Sequence, residues 1–354
     1  MEPQTDVDWS MGSHAARLAD WDSAVQIGRR VAGPGPKVLP PDRARLREDL
    51  AAHVVHAEGL VTGFTGLTVT GFRSRAWVMG RGDWIRQNVA ALQRLMEPLA
   101  QRLLEGKGNR PVIARKAVGA QVGALLGYVS RRVLGQFDVF LPPDDDGLIY
   151  FVGPNVIDVE TKFALTPADF RLWVAIHEVT HRVQFSSAPW LRSYLGGIVE
   201  EYLSTVSLDS KELIDQLKRA ADEARTGAGP RGVLRLLTPE QRAIFDRTQA
   251  MMSLLEGHAS FVMNEVGEEH VPTLPRLKQA LQTRRQVHGM EQRLQRAIGF
   301  DQKVAQYDSG ERFVREVVER IGMQGFNLVW EGRENLPLPG EIGEPDRWIS
   351  RVAG

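Results

Sequence analysis

One stretch, Thr166 to Phe185, restricts the fold of this chain more than any other. Thr166-Pro167-Ala168-Asp169 reads as a helix start, with threonine as N-cap, proline at the first helical position and an acid three residues after the cap. From Phe170 onward the apolar residues return on two sides. Phe170, Trp173, Val174, His177, His181 and Gln184 share one face, and Leu172, Ile176, Val179 and Val183 share another. A helix apolar on two faces must be wrapped by other elements, so the rest of the chain has to pack around it.

Two histidines break the first apolar face. His177 and His181 stand one turn apart with Glu178 beside them, the H-E-x-x-H arrangement. Imidazoles at i and i+4 can reach one Zn²⁺ together, and the intervening glutamate can take a proton from a water activated there. With eight histidines in 354 residues, a chance match is expected on the order of 0.01 times per chain. The bland alternative is a pair of core histidines satisfied by carbonyls, which leaves Glu178 unexplained. Glu178-Val-Thr-His181 is also an E-x-x-H, the unit of di-iron bundles. Those need a second such unit, and no other histidine here has a glutamate three residues before it.

The chain has no cysteine, which excludes disulfides, thiolate metal sites and a cysteine nucleophile. A third ligand must therefore be His, Asp or Glu. Glu200 and Glu201 follow His181 at an interval common in H-E-x-x-H enzymes. On a helix from Trp190 to Val206, however, Leu191, Leu195, Ile198, Tyr202 and Val206 form the buried face, and both glutamates fall off it. Glu256 lies instead in Met251 to Met263, an apolar helix begun by the capping box Thr238-Pro239-Glu240-Gln241. No Lys or Arg occurs between Arg247 and Arg276, so burying this carboxylate is costly unless a cation or hydrogen bonds neutralise it. Glu256 is the favoured third ligand, with Glu200 and Glu201 as alternatives. Gly257 removes a side chain where a second helix must come close. His258 is a supporting or transition-state group, with direct ligation as a fallback.

The remaining sequence predicts a mainly α protein with a small β-hairpin or sheet ahead of the metal helix. Helical patterns cover Trp21 to Val31, Arg43 to Val61 and Trp84 to Leu104. Gly33-Pro34-Gly35-Pro36 breaks the first of them. Ala117 to Leu134 carries Gly119, Gly123 and Gly127 every fourth residue, a bare ridge suited to close helix packing. Gln136 to Leu141 and Leu148 to Val152 read as strands around the turn Pro142 to Gly147. A single domain over 1–354 is expected, with possible sub-domains 1–165 and 166–354.

Forty-four basic residues balance forty-four acidic ones, which argues against a dedicated nucleic-acid binder. A basic cluster between Arg276 and Arg296, with Lys278, Arg284, Arg285 and Arg293, reads as a solvated helix face under that balance. The polar start Met1-Glu-Pro-Gln lacks a signal-peptide pattern. The apolar run Ala117 to Ser130 falls short of the roughly 18 to 20 residues a membrane span needs. A cytoplasmic protein without nucleic-acid or membrane partners is expected. Oligomeric state is left open.

The block His177-Glu-Val-Thr-His-Arg-Val-Gln-Phe185, the Pro189-Trp190-Leu-Arg that follows, Leu254-Leu-Glu256-Gly257-His258-Ala and Gln306-Tyr307-x-x-Gly310-Glu311-x-Phe313-Val together resemble a bacterial family of zincin-like metallopeptidases. One branch of that family is labelled as associated with biosynthesis of a deazaflavin coenzyme. The resemblance implies a mainly helical zincin-like protein with zinc at His177 and His181, a third ligand in the Glu256 block and Glu178 as catalytic base; from the metal-assisted hydrolysis these residues suggest, a peptide or protein substrate is expected. Tyr307 and His258 are the side chains expected to meet a developing oxyanion. Strand Leu148 to Val152 is a possible edge for an extended peptide. The rival from another class is a zinc-bound scaffold that lacks turnover, against which an intact Glu178 speaks.

Overall fold

Residues 14–104, 111–137, 147–205, 238–285 and 300–354 are described in a computed structural model of the chain. The side chains of 300–308, and of Pro98, Arg102, Leu103, Leu281, Arg284 and Arg285, fall outside that description. In chain order the elements are α1 (Trp21–Ala32), α2 (Pro40–Thr65), β1 (Arg75–Met79), α3 (Arg81–Leu104), α4 (Val112–Ser130), β2 (Gly135–Phe137) and β3 (Leu148–Val152). There follow α5 (Gly153–Lys162), α6 (Pro167–Ser187), α7 (Trp190–Thr205), α8 (Pro239–His270), α9 (Leu274–Arg285), α10 (Phe300–Asn327) and α11 (Pro345–Val352). The mainly helical reading holds. The expected turn at Pro142 and the basic residue Arg293 lie outside the described residues.

The chain forms two compact units of interleaved segments. One comprises Met1–Arg43, Val78–Leu134 and Tyr150–Asp158. The other comprises Ala44–Trp77, Gly135–Ile149 and Val159–Gly354.

In the first unit the glycine ridge of α4 does what its spacing predicts. A Cβ on Gly119, Gly123 or Gly127 would come closer than 3.0 Å to the backbone oxygen of Asp20, Ala24 or Gly28 respectively, one turn apart along α1. The two backbones therefore meet directly. At the far end of α4, the Asn155 amide donates to the carbonyls of Ser130 (2.7 Å) and Val133 (2.6 Å). Arg81 holds that amide by donating to its oxygen at 2.7 Å. The helix starts at Val112, earlier than the apolar run suggests. Its 19 residues, at a mean hydropathy of 1.2, meet the length and composition of a membrane-crossing helix, although its glycine face is taken by α1.

In the second unit, α6 is enclosed along nearly its whole length, as a helix apolar on two faces requires. Of Phe170 to Phe185, only His177 and His181 are less than fully buried. Two buried arginines tie α6 to α2. Arg171 makes a two-pronged pair with Glu160 (2.7 and 2.8 Å) and a further bond to Asp49. Arg182, 1% exposed, reaches Glu58 at 2.6 Å as well as the Phe72 carbonyl. The capping box at the head of α8 is present in both directions, Gln241 N–H to Thr238 Oγ1 (3.2 Å) and Thr238 N–H to Gln241 Oε1 (3.1 Å). Thr166 occupies the N-cap position of α6, but its hydroxyl makes no capping bond. α8 crosses α10 at a glycine pair: a Cβ on Gly257 would strike Gly310 and Glu311 backbone, and one on Gly310 would strike Ser253 backbone.

The sheet has the order β1-β3-β2. The two expected strands are neighbours, and β1, unforeseen in the sequence, pairs on the far side of β3. This corrects one expectation. β3 is flanked on both sides and all five of its residues are buried, so it offers no edge to a peptide; β2 ends the sheet.

Candidate metal centre

α6 supplies two donors and α8 the third. The i, i+4 spacing brings the His177 and His181 Nε2 atoms to 3.3 Å, with the rings at 89° to each other. Glu256 Oε2 lies 3.7 Å from His177 Nε2 and 3.6 Å from His181 Nε2. Zinc bonds of 2.0–2.1 Å in a tetrahedron place neighbouring ligand atoms about 3.3–3.4 Å apart, so the donor set fits a divalent ion with little adjustment. Among the described residues this is the one His/Asp/Glu group close enough to hold a metal. The three side chains keep 15–21% of their surface exposed, so the cluster faces an opening and is not sealed.

The charges match that geometry. Burial would push the Glu256 carboxyl up, but the nearby His177 and His181 imidazoles win and hold it well below the usual range. Burial would lower His181; the Glu256 carboxylate, with Glu178 and Gln184, overrides it and raises the imidazole to about 9. The carboxylate is ionised and asks for positive charge from the two imidazoles or an ion. His177 Nδ1 is buried and has no hydrogen-bond partner among the described residues.

Glu178 lies against β2 and within electrostatic reach of His177, His181 and Glu256. It is 7% exposed, accepts the backbone N–H of Phe137, and lies so near β2 that a Cβ on Gly135 would meet its carboxyl group at 2.7 Å. Burial raises its pKa, with the Glu256 charge in the same direction and the two imidazoles against. Gly135 is what lets β2 pass this close.

His258 is wholly buried. Its ring stacks on Phe326 (5.1 Å between centroids, 24°) and lies near Trp330, and burial lowers its pKa to about 3. It sits behind the donors, reached through Gln184, and contributes no atom to the cluster. Tyr307 lies on α10 one turn before Gly310, and its side chain is outside the described residues. Glu200 and Glu201 are exposed on α7, where Glu201 pairs with Arg247 at 2.6 Å, as their position off the apolar face suggests. Tyr202, placed on the buried face by its spacing, is 38% exposed instead. The residue that sequence reasoning passed over is Gln184. Its signal was a polar amide on the same buried face as the two histidines.

The sequence model of a family described as zincin-like metallopeptidase matches residues 19–349. A crystal structure from Chloroflexus aurantiacus, described as a "putative hydrolase with a novel fold", is 34% identical and superposes with a TM-score of 0.71, covering 95% of this chain and 99% of that one. No curated protein matches the chain. With a His-His-Glu cluster in a mainly helical fold, and a family match running almost from end to end, the chain belongs to the zincin-like metallopeptidases.

Proposed function

We propose that the protein is a zinc-dependent hydrolase of peptide or amide bonds, with His177, His181 and Glu256 holding the ion and Glu178 acting as general base. The observation that carries this is the convergence of three donor atoms from two helices at 3.3–3.7 Å, with a buried carboxylate on the residue next to one of them. A bound zinc supplies Lewis acidity, making water nucleophilic near neutral pH and polarising a carbonyl.

The chain's own residues do the rest. Glu178 takes the proton from the attacking water on its carboxylate and returns it to the leaving amine, for which a pKa raised by burial is suited. The Phe137 N–H lies beside that carboxylate and favours its ionised form. β2, the edge strand beside Glu178, offers backbone groups to an extended substrate. Tyr307 is the donor proposed for the developing oxyanion.

The test is metal analysis of the purified protein followed by peptide-library cleavage with wild type and Glu178→Gln. One zinc in both proteins, with cleavage lost by about 10²–10⁴-fold in the variant, is the expected result. Equal cleavage by both places the base elsewhere, and zinc without cleavage in either favours the scaffold reading.

A further inference from the structure

We infer that Gln184 is the positioning residue of the metal centre: one buried amide sets the tautomer of His181 and ties that ligand to the backbone beside the third ligand, Glu256. The inference rests on the zinc reading of the cluster and deepens it.

Gln184 is completely buried on α6, one turn beyond His181. Its amide faces three groups: the Leu255 carbonyl oxygen at 2.8 Å, His258 Nδ1 at 3.0 Å and His181 Nδ1 at 3.0 Å. A carbonyl oxygen can only accept, so the amide atom against Leu255 is the NH₂ group, which fixes which way round the side chain lies. Three consequences follow from that one anchor. The amide oxygen faces His181 Nδ1, so that nitrogen carries the proton and donates. His181 Nε2 is thereby left with its lone pair toward His177 Nε2 and Glu256 Oε2 whenever an ion replaces its other proton. The second amide hydrogen points at His258 Nδ1, which must accept, so the His258 proton sits on Nε2, an atom with no partner among the described residues.

The same side chain fixes geometry as well as protonation. Leu255 immediately precedes Glu256, so the bond from Gln184 to the Leu255 carbonyl locks the α6 ligands to the α8 ligand in register. His258 is itself clamped by the stacking of Phe326 and the flank of Trp330. An aliphatic residue at 184 would leave His181 free to rotate or change tautomer, and would remove the tie to the Leu255 carbonyl.

The experiment uses full-length protein labelled with ¹⁵N-histidine, with zinc affinity measured by chelator competition. In zinc-loaded wild type, His181 is expected to carry its proton on Nδ1 and to bind through Nε2, and His258 is expected as the Nε2–H form with and without zinc. A His181 bound through Nδ1, or a His258 protonated on Nδ1, overturns the inference from wild type alone. Gln184→Leu is expected to bind zinc about 10–100-fold more weakly. Gln184→Glu keeps an acceptor for His181 and is expected to recover part of that loss. Equal affinity in wild type and Gln184→Leu, with both folded by circular dichroism, refutes the positioning role. If Gln184→Leu does not fold, the wild-type tautomers decide. If wild type binds no zinc, or His177→Ala binds it as tightly, the zinc reading fails, and the His258 tautomer of the metal-free protein still judges the hydrogen-bond assignment.

Discussion

Gly257→Ala tests whether the approach of α8 to α10 is what places Glu256. A methyl group there would stand 2.6 Å from Glu311 N and Gly310 Cα, against an ordinary contact of 3.4–4 Å. The atoms it meets are main chain on a long helix, so no rotamer change relieves the clash. The helices must part by the better part of an ångström, and overpacking of that kind costs about 1–3 kcal/mol. Alanine's better helix propensity returns up to about 1 kcal/mol, leaving a net loss of about 1–2 kcal/mol. For a unit of this size each kcal/mol corresponds to roughly 2–4 °C in Tm. Because Glu256 is the adjacent residue, its carboxylate moves with the backbone, and zinc affinity is expected to fall by more than the stability loss alone explains. Thermal melting and chelator competition on the same preparation check both parts. Gly59→Ala is the control: that glycine lies inside α2 with nothing within 4 Å of a new Cβ, so the same substitution should stabilise by roughly 0.5–1 kcal/mol. A Gly257→Ala protein as stable as wild type, with unchanged zinc affinity, would refute the reasoning.

Other residues give sharper contrasts. Glu256→Ala should lose stoichiometric zinc by metal analysis, whereas Glu201→Ala, which breaks only an exposed pair with Arg247, should keep it and change stability by no more than about 1 kcal/mol. Arg171→Met strands Glu160 and Asp49 beside α6 and should cost about 3–5 kcal/mol in chemical denaturation. Adding Glu160→Leu should return much of that loss, because burial already disfavours the charged form of Glu160. The Glu341 carboxyl is raised by burial but lowered further by Arg351 and the Leu338 N–H, so its net pKa in the fold lies below 4.5. That clasp therefore stabilises above about pH 4.5 and is lost as pH falls through the depressed value. Arg351→Met should flatten the acid limb of a Tm-versus-pH curve in that window.

What could be read from the sequence was whatever depends on near neighbours in the chain. The i, i+4 spacing of His177 and His181, the Thr-Pro starts of α6 and α8, and the four-residue glycine period of α4 are local facts with local consequences. Glu256 became readable through a long-range argument, but one that needs only composition: a carboxylate in an apolar helix far from any Lys or Arg must find its cation elsewhere. Strand order was not readable in this way. β1 arises in a stretch without strong alternation, and nothing in Leu148 to Val152 says whether one or both of its edges are paired. An all-apolar strand is in fact the pattern of a central one.

Gln184 shows where this kind of reading can be pushed further. An amide on a buried helical face can neither ionise nor stay unpaired, so it demands both a donor and an acceptor from elements that the local sequence does not name. Beside a histidine one turn away, the acceptor half has an obvious use, since a metal-ligating imidazole needs its second nitrogen held. The donor half then requires a carbonyl or a bare ring nitrogen from another helix. The Leu255–His258 segment supplies both, on either side of the third ligand. In this chain those partners flank Glu256, whereas Glu200 and Glu201 are exposed on α7.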